Sequence, residues 1–173
     1  MVLETKRLLL REWDERDASE LYPLARDPDI GPRCGWKPHE SEAESREVIR
    51  RVLMAPETCA ITLRETGQLI GSMGLHPVEG CPDDRELGYW IGKPFWGRGY
   101  TTEAAREMLR HAFEVLRCPQ VWCEHFDFNA QSKRVIDKCG FRYCTTKETT
   151  LSDGVLHIAL RYVLTRAEWE ELS

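Results

Sequence analysis

The chain has 173 residues, of which 42% are hydrophobic and 31% charged, and this length and composition are those of one globular domain spanning 1–173. Its formal net charge of −5 argues against a general nucleic-acid binder, which normally presents a basic face. No apolar run approaches the roughly 20 residues that cross a bilayer, and the N-terminal stretch is too charged for a signal peptide. We therefore expect a cytoplasmic protein with no nucleic-acid or membrane partner.

Elements in the first third of the chain are predicted from apolar periodicity and from helix caps. A first strand is expected over 7–13, a short helix within 14–27, and a loop over the proline- and glycine-rich stretch 28–39. Ser41 and Glu44 have the spacing of a capping box at the start of a second helix. The apolar face of that helix is Val48, Ile49, Val52 and Leu53.

After this second helix, the spacing of apolar residues changes from the helical period to the two-residue period of strands. Two strands are expected around a turn at Glu65–Gln68, followed by a third over Arg85–Gly92. A long amphipathic helix comes next, because apolar residues recur at helical spacing. Its stripe is Ala104, Ala105, Met108, Leu109, Ala112, Phe113 and Leu116.

The last part of the chain continues the alternation of strands and helices. A strand is expected over 120–128, then a helix capped by Asn129 and ended by Gly140, a hairpin turning at 152–154, and a terminal helix over 165–172. This order predicts an α+β fold, an α/β sandwich in which helices cover both faces of a mixed, mostly antiparallel central sheet of about seven strands.

Seven cysteines are present, and we expect them to be reduced core residues. Cys118/Cys123 and Cys139/Cys144 share a spacing that invites a zinc interpretation. A strand between the first two would separate them by ~16 Å at ~3.3 Å per residue, too far to share one metal. We therefore expect no metal.

The glycine-rich stretch Gly97-Arg98-Gly99 lies between a strand and the start of the long helix. Free N–H groups at a helix start suit a phosphate, although a tight turn without a ligand is the alternative. The phosphate-binding loop motif requires a serine or threonine directly after its Gly-Lys pair. Pro94 follows Gly92-Lys93 here, so that motif is excluded. A dinucleotide fingerprint is not matched either, because Thr102 stands where its third glycine would be.

The stretch "LGYWIGKPFWGRGYTTEA" resembles the acetyl-CoA binding segment of the GNAT N-acetyltransferase superfamily. Tryptophan and threonine at the ends of its glycine signature resemble the branch that includes the ribosomal-protein N-terminal acetyltransferases. "NAQSKRVIDKCGF" and the opening "TKRLLLREW" also look like segments of that branch. The resemblance covers nearly the whole chain and implies a GNAT-like fold with acetyl-CoA as co-substrate.

The resemblance also implies which residues bind acetyl-CoA. The glycine turn and the helix start would hold its pyrophosphate, and the strand before them would separate from its neighbour and offer backbone groups to the pantetheine arm. The implied contacts are Trp90, Ile91, Trp96, Gly97, Arg98, Gly99, Tyr100, Thr101, Thr102, Asn129 and Ser132.

Ser132 is the candidate that protonates the leaving thiolate. Many members of the family use a tyrosine at the position that is Ile136 here, seven residues after Asn129. Ser132 lies on the same helical stripe, and its branch of the family suggests it. The alternative is that Ser132 only positions the cofactor.

Glu86 is the candidate general base, because it shares a strand face with Gly88 and Trp90 on the way into the site. The alternative is a solvated or cross-strand paired carboxylate. A backbone N–H near Trp90 or Ile91 is implied as the donor to the thioester oxygen, aimed by a bulge in that strand.

The predicted function is transfer of an acetyl group from acetyl-CoA to a primary amine, either a protein N-terminal α-amine or a small-molecule amine. A non-catalytic coenzyme A-binding sensor or scaffold is the alternative. The protein is expected to be a monomer or a homodimer.

Overall fold

The structure is a computed structural model that describes residues 1–151 and 154–172. Its strands are β1 Leu3–Glu4, β2 Leu8–Arg11, β3 Thr58–Leu63, β4 Leu69–Val78, β5 Cys81–Ile91, β6 Gln120–Phe126, β7 Arg142–Thr150 and β8 Leu156–Thr165. Its α-helices are α1 Ala18–Ala25, α2 Gly31–Cys34, α3 Glu42–Val48, α4 Tyr100–Arg110, α5 Ala130–Lys138 and α6 Arg166–Leu172. The turn expected at 152–154 lies largely outside the described residues.

The strands form one sheet in the order β1-β2-β3-β4-β5-β6-β8-β7. All described neighbours are antiparallel except β5 and β6, so the predicted mixed, mostly antiparallel sheet is confirmed. The sheet has eight strands rather than about seven, because Leu3–Glu4 pairs with Leu10 and Leu9. A two-residue strand is too short to show an alternating pattern in the sequence.

Helices cover both faces of the sheet, as predicted. The α4/α5 face is the face on which α4, the π-helical turn His111–Val115 that continues it, and α5 bury Met108, Phe113 and Ile136 in the larger apolar cluster. The opposite α1/α3 face carries a smaller cluster that includes Leu21 and Ile49. Because each fully buried side chain of this size contributes about 1.5–3 kcal/mol, both helical layers stabilise the sheet. Within 1–151 and 154–172, no helix is long and apolar enough to cross a membrane.

Local differences from the sequence prediction fall in 28–53. The expected loop contains the one-turn helix α2, which ends at Gly35 with φ of +86°. Ser41 caps α3 as predicted, accepting a hydrogen bond from the Glu44 N–H at 3.0 Å. In a full capping box the Glu44 carboxylate would accept a hydrogen bond from the Ser41 N–H. Here it accepts from the Glu40 N–H instead. The helix continues as a π-helical turn, Ile49–Leu53, which leaves Val52 exposed.

The cysteines are free thiols with two kinds of surroundings. Cys59, Cys118, Cys123 and Cys139 are buried, as expected of core residues. Cys34, Cys81 and Cys144 are exposed, so the expectation was wrong for them. Cys144 lies where the pairing of the edge strand β7 is irregular, and nearly all of that strand is exposed. Among the described residues, no group of three or more His, Cys, Asp and Glu side chains is placed to hold a metal.

Candidate active site

A cavity of about 540 Å³ lies where β5 and β6 separate. The two strands pair only from Arg85 and Val121 to Leu87 and Cys123. Beyond that point both strands line the cavity, β5 through Gly88–Ile91 and β6 through 124–126. The sheet is therefore open at its centre, and the cavity reaches residues on both faces. This is the separation of strands that the family resemblance implied.

The edge of β5 that faces the opening is defined by its pairing with β4. The Gly92 N–H donates to the Ile70 carbonyl at 2.8 Å, and N–H direction alternates along a strand. The backbone of Trp90 therefore also faces β4, whereas the N–H groups of Tyr89 and Ile91 face the opening. Of the two donors considered for the thioester oxygen, Ile91 is in place and Trp90 is not.

The bulge expected in this part of β5 is absent from the described pairing. The register with β4 runs without interruption from Arg85 and Pro77 to Ile91 and Gly71, and the irregularity lies beyond Pro77, at the far end of the hairpin. β5 stays regular because β4 holds it throughout. The opening arises on its other side, where pairing with β6 stops after Leu87.

The glycine turn has the geometry of an anion cradle. Gly97 and Gly99 have φ of +74° and +78°, and a Cβ added to Gly97 would meet no atom within 4 Å. The first bond of α4 runs from the Glu103 N–H to the Gly99 carbonyl at 3.1 Å. The N–H groups of the three residues before Glu103, Tyr100 to Thr102, therefore have no acceptor within the helix. These donors and the dipole of α4 favour an anion here.

The structure brings most, but not all, of the predicted turn residues to the cavity. Its lining includes Trp96, Gly97, Gly99, Thr101 and Thr102. The indole N–H of Trp96 donates to the Ile91 carbonyl at 2.8 Å and so ties the turn to β5. The other two predicted residues, Arg98 and Tyr100, do not line the cavity.

Arg7 on the segment before β2 holds the glycine turn from outside. Its guanidinium donates to the Arg98 carbonyl at 3.0 Å and to Glu103 at 2.7 Å, and it lies 4.4 Å from the ring centre of Tyr100. Burial opposes the charge of Glu103, but hydrogen bonds from Thr5 and Arg7 outweigh it and leave the pKa of Glu103 below its usual value. The Tyr100 ring therefore packs against Arg7 rather than lining the cavity.

The start of α5 brings two predicted residues into the opening. Asn129 caps the helix, accepting a hydrogen bond from the Ser132 N–H at 3.3 Å, and its amide donates to the Arg33 carbonyl. The Ser132 hydroxyl lies 2.9 Å from the hydroxyl of Tyr89. Ile136 stands where many members of the resembled family have a tyrosine, and it is buried in the core on the α4/α5 face.

Tyr89 was not singled out from the sequence. Its hydroxyl reaches Ser132 because β5 side chains alternate and odd-numbered ones point toward α5. Burial raises the pKa of Tyr89 well above its usual value, so the phenol stays protonated at neutral pH. No local sequence pattern predicts this contact, because it depends on how α5 packs over the opening.

Glu86 lines the cavity, but its carboxylate is engaged. Arg161 of β8 donates to it at 3.1 Å. The paired-carboxylate interpretation of Glu86 therefore matches the geometry better than a free base. His76, for which the sequence offered no context, also lines the cavity, directly opposite Glu86 on β4.

Comparison with known proteins agrees with this geometry. The family described as "Acetyltransferase (GNAT) domain" matches residues 7–142. The chain is 39% identical over 113 residues to "FsC-acetyl coenzyme A-N(2)-transacetylase" of Aspergillus fumigatus, covering 60% of this chain and 48% of that protein. It is 32% identical over 105 residues to "Putative ribosomal N-acetyltransferase YdaF" of Bacillus subtilis, covering 60% of this chain and 57% of that protein.

A GNAT-family acetyltransferase of Bacillus anthracis has the same fold, with a TM-score of 0.88 at 20% identity over 96% of this chain and 99% of that one. The chain spans about half the length of the Aspergillus relative. The chain belongs to the GNAT acetyltransferase family. The predicted membership of the GNAT superfamily, whose members use acetyl-CoA as the acetyl donor, is thereby confirmed.

Proposed function

We propose that the protein transfers the acetyl group of acetyl-CoA to an α-amine that enters from the α1/α3 face. The observation that most directly supports this proposal is the cavity at the opening between β5 and β6. Gly97 and Thr101 line it at the start of α4, whereas Trp36 and His76 line it on the α1/α3 face. Donor and acceptor can therefore approach the opening from opposite faces of the sheet.

The chain's own groups fit acetyl-CoA. The open space at Gly97 and the free N–H groups at the start of α4 suit its pyrophosphate. The exposed edge of β5 at Tyr89 offers a backbone donor and a backbone acceptor to the amide groups of the pantetheine arm. When bound, acetyl-CoA supplies an acetyl group activated as a thioester.

Three groups at the opening match the needs of acyl transfer. The Ile91 N–H is a fixed donor for the carbonyl oxygen of the thioester. The Ser132 hydroxyl is the proton source for the departing sulfur. Tyr89, whose phenol stays protonated, keeps the Ser132 hydroxyl oriented toward the opening.

The acceptor class follows from the carboxylates of the cavity. The three that line its described part are all ion-paired: Asp29 with Lys93, Glu86 with Arg161, and Glu124 with Lys147. Each of these carboxylates is therefore occupied by a cation in this structure. Neutralising a lysine of pKa ~10.4 costs ~3.5 kcal/mol more than neutralising an α-amine of pKa ~7.7–8.0. A site without a free carboxylate therefore favours the α-amine.

A panel of amines tests this proposal. The purified protein and acetyl-CoA are mixed at pH 7.5 with peptides that have free N-termini, with α-N-blocked lysine peptides, and with small primary amines. Thiol release and product mass are recorded together. We expect one acetylated product per thiol for α-amines and little for blocked lysine peptides. Coenzyme A binding without thiol release from any amine would instead support a non-catalytic binding module.

A further inference from the structure

The ring of His76 lies over a floor made by two paired glycines, Gly74 and Gly88. Its Nε2 is 3.1 Å from the position that a Cβ on Gly88 would occupy, and 3.2 Å from that position on Gly74. Contacts this short are rare for a real Cβ. The imidazole can therefore fold back along β4 because both floor residues lack side chains.

This place in the sheet is the start of the opening. Leu87 is the last residue of β5 that pairs with β6, and Gly88 follows it. The next residue, Tyr89, presents its N–H to the opening and its hydroxyl to Ser132. The imidazole nitrogen thus lies on the α1/α3 face beside the point where the two strands separate.

We propose that His76 is the general base of the transfer and that the acceptor amine sits above Gly74 and Gly88, hydrogen-bonded to the imidazole. This rests on the proposed function, which it deepens. His76 would be a catalytic residue, because it touches the reacting nitrogen. Glu86 would keep its ion pair with Arg161 throughout.

The ammonium gives one proton to His76, which passes it to water on the exposed side of the ring. The nitrogen lone pair forms a bond to the acetyl carbon, and the C–S bond breaks with its electron pair on sulfur. Sulfur takes a proton from Ser132, and the second proton lost by the nitrogen restores the Ser132 hydroxyl through the cavity.

The protonation state of His76 agrees with this geometry. Desolvation of the ring lowers the pKa of His76 below its usual value, and the Glu86 carboxylate opposes that effect without cancelling it. The charged groups on the same face of the neighbouring strands are the ion pairs Glu86–Arg161 and Glu124–Lys147 and the Asp84 carboxylate, which accepts from the Trp122 indole. On the helical side the cavity is lined by the uncharged residues Val52 and Leu53, and also by Arg33 and by Asp29, which is paired with Lys93. The imidazole is therefore neutral at pH 7 and can accept a proton.

A second observation points to a ligand over the same floor. The Thr58 hydroxyl lies 2.9 Å from the position of a Cβ on Gly74, and Thr58 lines the cavity. Thr58 is only 7% exposed, and its hydroxyl has no hydrogen-bond partner among the described residues. Such a buried group is costly unless a partner arrives. The carbonyl next to an α-amine would accept from it.

The test is the pH dependence of kcat for His76→Gln, measured with an α-amine peptide from pH 6 to 9.5. We expect kcat to fall by about tenfold at pH 7, because only about a tenth of an amine of pKa ~7.7–8.0 is neutral there without a base. It should recover toward the wild-type value above pH ~9, where an amine of pKa ~7.7–8.0 is already neutral. A purely structural defect would lower kcat equally at every pH, and that outcome would overturn the proposal, as would a loss below twofold at pH 7.

His111→Gln is the matched control. His111 lies outside the cavity lining and is bonded to Glu57 at 2.8 Å, a contact that glutamine can keep. Its pH profile should have the wild-type shape. Should His76→Gln fail to fold, His76→Asn provides the same readout, because it also removes the imidazole.

The two proposals can fail separately. If the wild-type protein acetylates no amine, the proposed function is wrong, and His76 has no reaction to assist. If the wild type acetylates α-amines and His76→Gln follows the wild-type pH profile, only the assignment of His76 is wrong.

Discussion

At the scale of single residues, the Ser132 hydroxyl is where the chemistry can be tested most sharply. It lies 2.9 Å from the Tyr89 hydroxyl. If Ser132 protonates the departing sulfur, Ser132→Ala should lower kcat by about 10²-fold. The Kd for acetyl-CoA should hardly change, and calorimetry beside saturating kinetics separates the two quantities.

Tyr89→Phe is the companion variant, since it removes the partner of Ser132 and leaves the serine in place. We expect a smaller loss of kcat. Because a thiol of pKa ~8.5 leaves fairly well without an acid, water can partly replace Ser132. A Ser132→Ala variant with normal kcat and weakened binding would show that the serine only holds the cofactor.

A second prediction concerns Gly99 and the stabilisation of the protein by coenzyme A. Coenzyme A at about 100 times its Kd should raise the free energy of unfolding by ~2.7 kcal/mol. Gly99→Val should abolish that increase, because a side chain at φ of +78° distorts the turn and blocks the anion. Thermal unfolding with and without coenzyme A measures the effect.

Gly67→Val is the matched control for Gly99→Val. Gly67 has φ of +74° in the β3–β4 turn, and a Cβ there would meet no atom within 4 Å. Both variants should lose about 1–2 kcal/mol from the left-handed conformation alone. Only Gly67→Val should still be stabilised by coenzyme A. Equal stabilisation of both variants would remove the glycine turn from the binding site.

Prediction of single residues from the sequence succeeded where a local pattern carried the information. The turn at Gly97 and Gly99 and the cap at Asn129 are local features, and the structure has them in place. Tyr89 and His76 depend on packing and strand register, neither of which a local pattern contains. The structure was needed to find them.

At the scale of elements, the brace between the N-terminal segment and α4 makes a prediction. Arg7→Met removes the donor to the Arg98 carbonyl and the partner of Glu103. The glycine turn should lose order, and the Kd for coenzyme A should rise about tenfold, which corresponds to about 1.4 kcal/mol. Isothermal calorimetry measures this change.

Arg142→Met is the control for the brace. Arg142 is also exposed and pairs with Glu168 at 2.7 Å, and neither residue lines the cavity. Its Kd for coenzyme A should stay at the wild-type value. A normal Kd in Arg7→Met would mean that the turn holds its shape without Arg7.

Elements with a strong period were predicted well, and those without one were not. The predicted stripe is buried from Ala104 to Phe113, through α4 and the π-helical turn after it, because helical periodicity marks it directly. The one-turn helix α2 has too few residues to show a period, so 28–39 read as a loop. The bulge in β5 was expected from resemblance, and the regular pairing with β4 contradicts it.

At the scale of the whole molecule, function depends on the opening at the centre of the sheet. The order of strands and helices predicted an α+β sandwich, but no residue pattern marks where β5 and β6 separate. That expectation came from the family resemblance, and the end of pairing at Leu87 and Cys123 agrees with it. Because of the opening, a cofactor bound at the glycine turn and an acceptor bound on the α1/α3 face can meet and react.

The most direct test of the central claim uses one peptide that carries both a free N-terminal α-amine and an internal lysine. The peptide is incubated with the protein and acetyl-CoA at pH 7, and tandem mass spectrometry locates the acetyl group. We predict acetylation at the α-amine, with one thiol released per product and the lysine unmodified. Acetylation of the lysine at an equal or higher rate, or thiol release without acetylated peptide, would contradict the account.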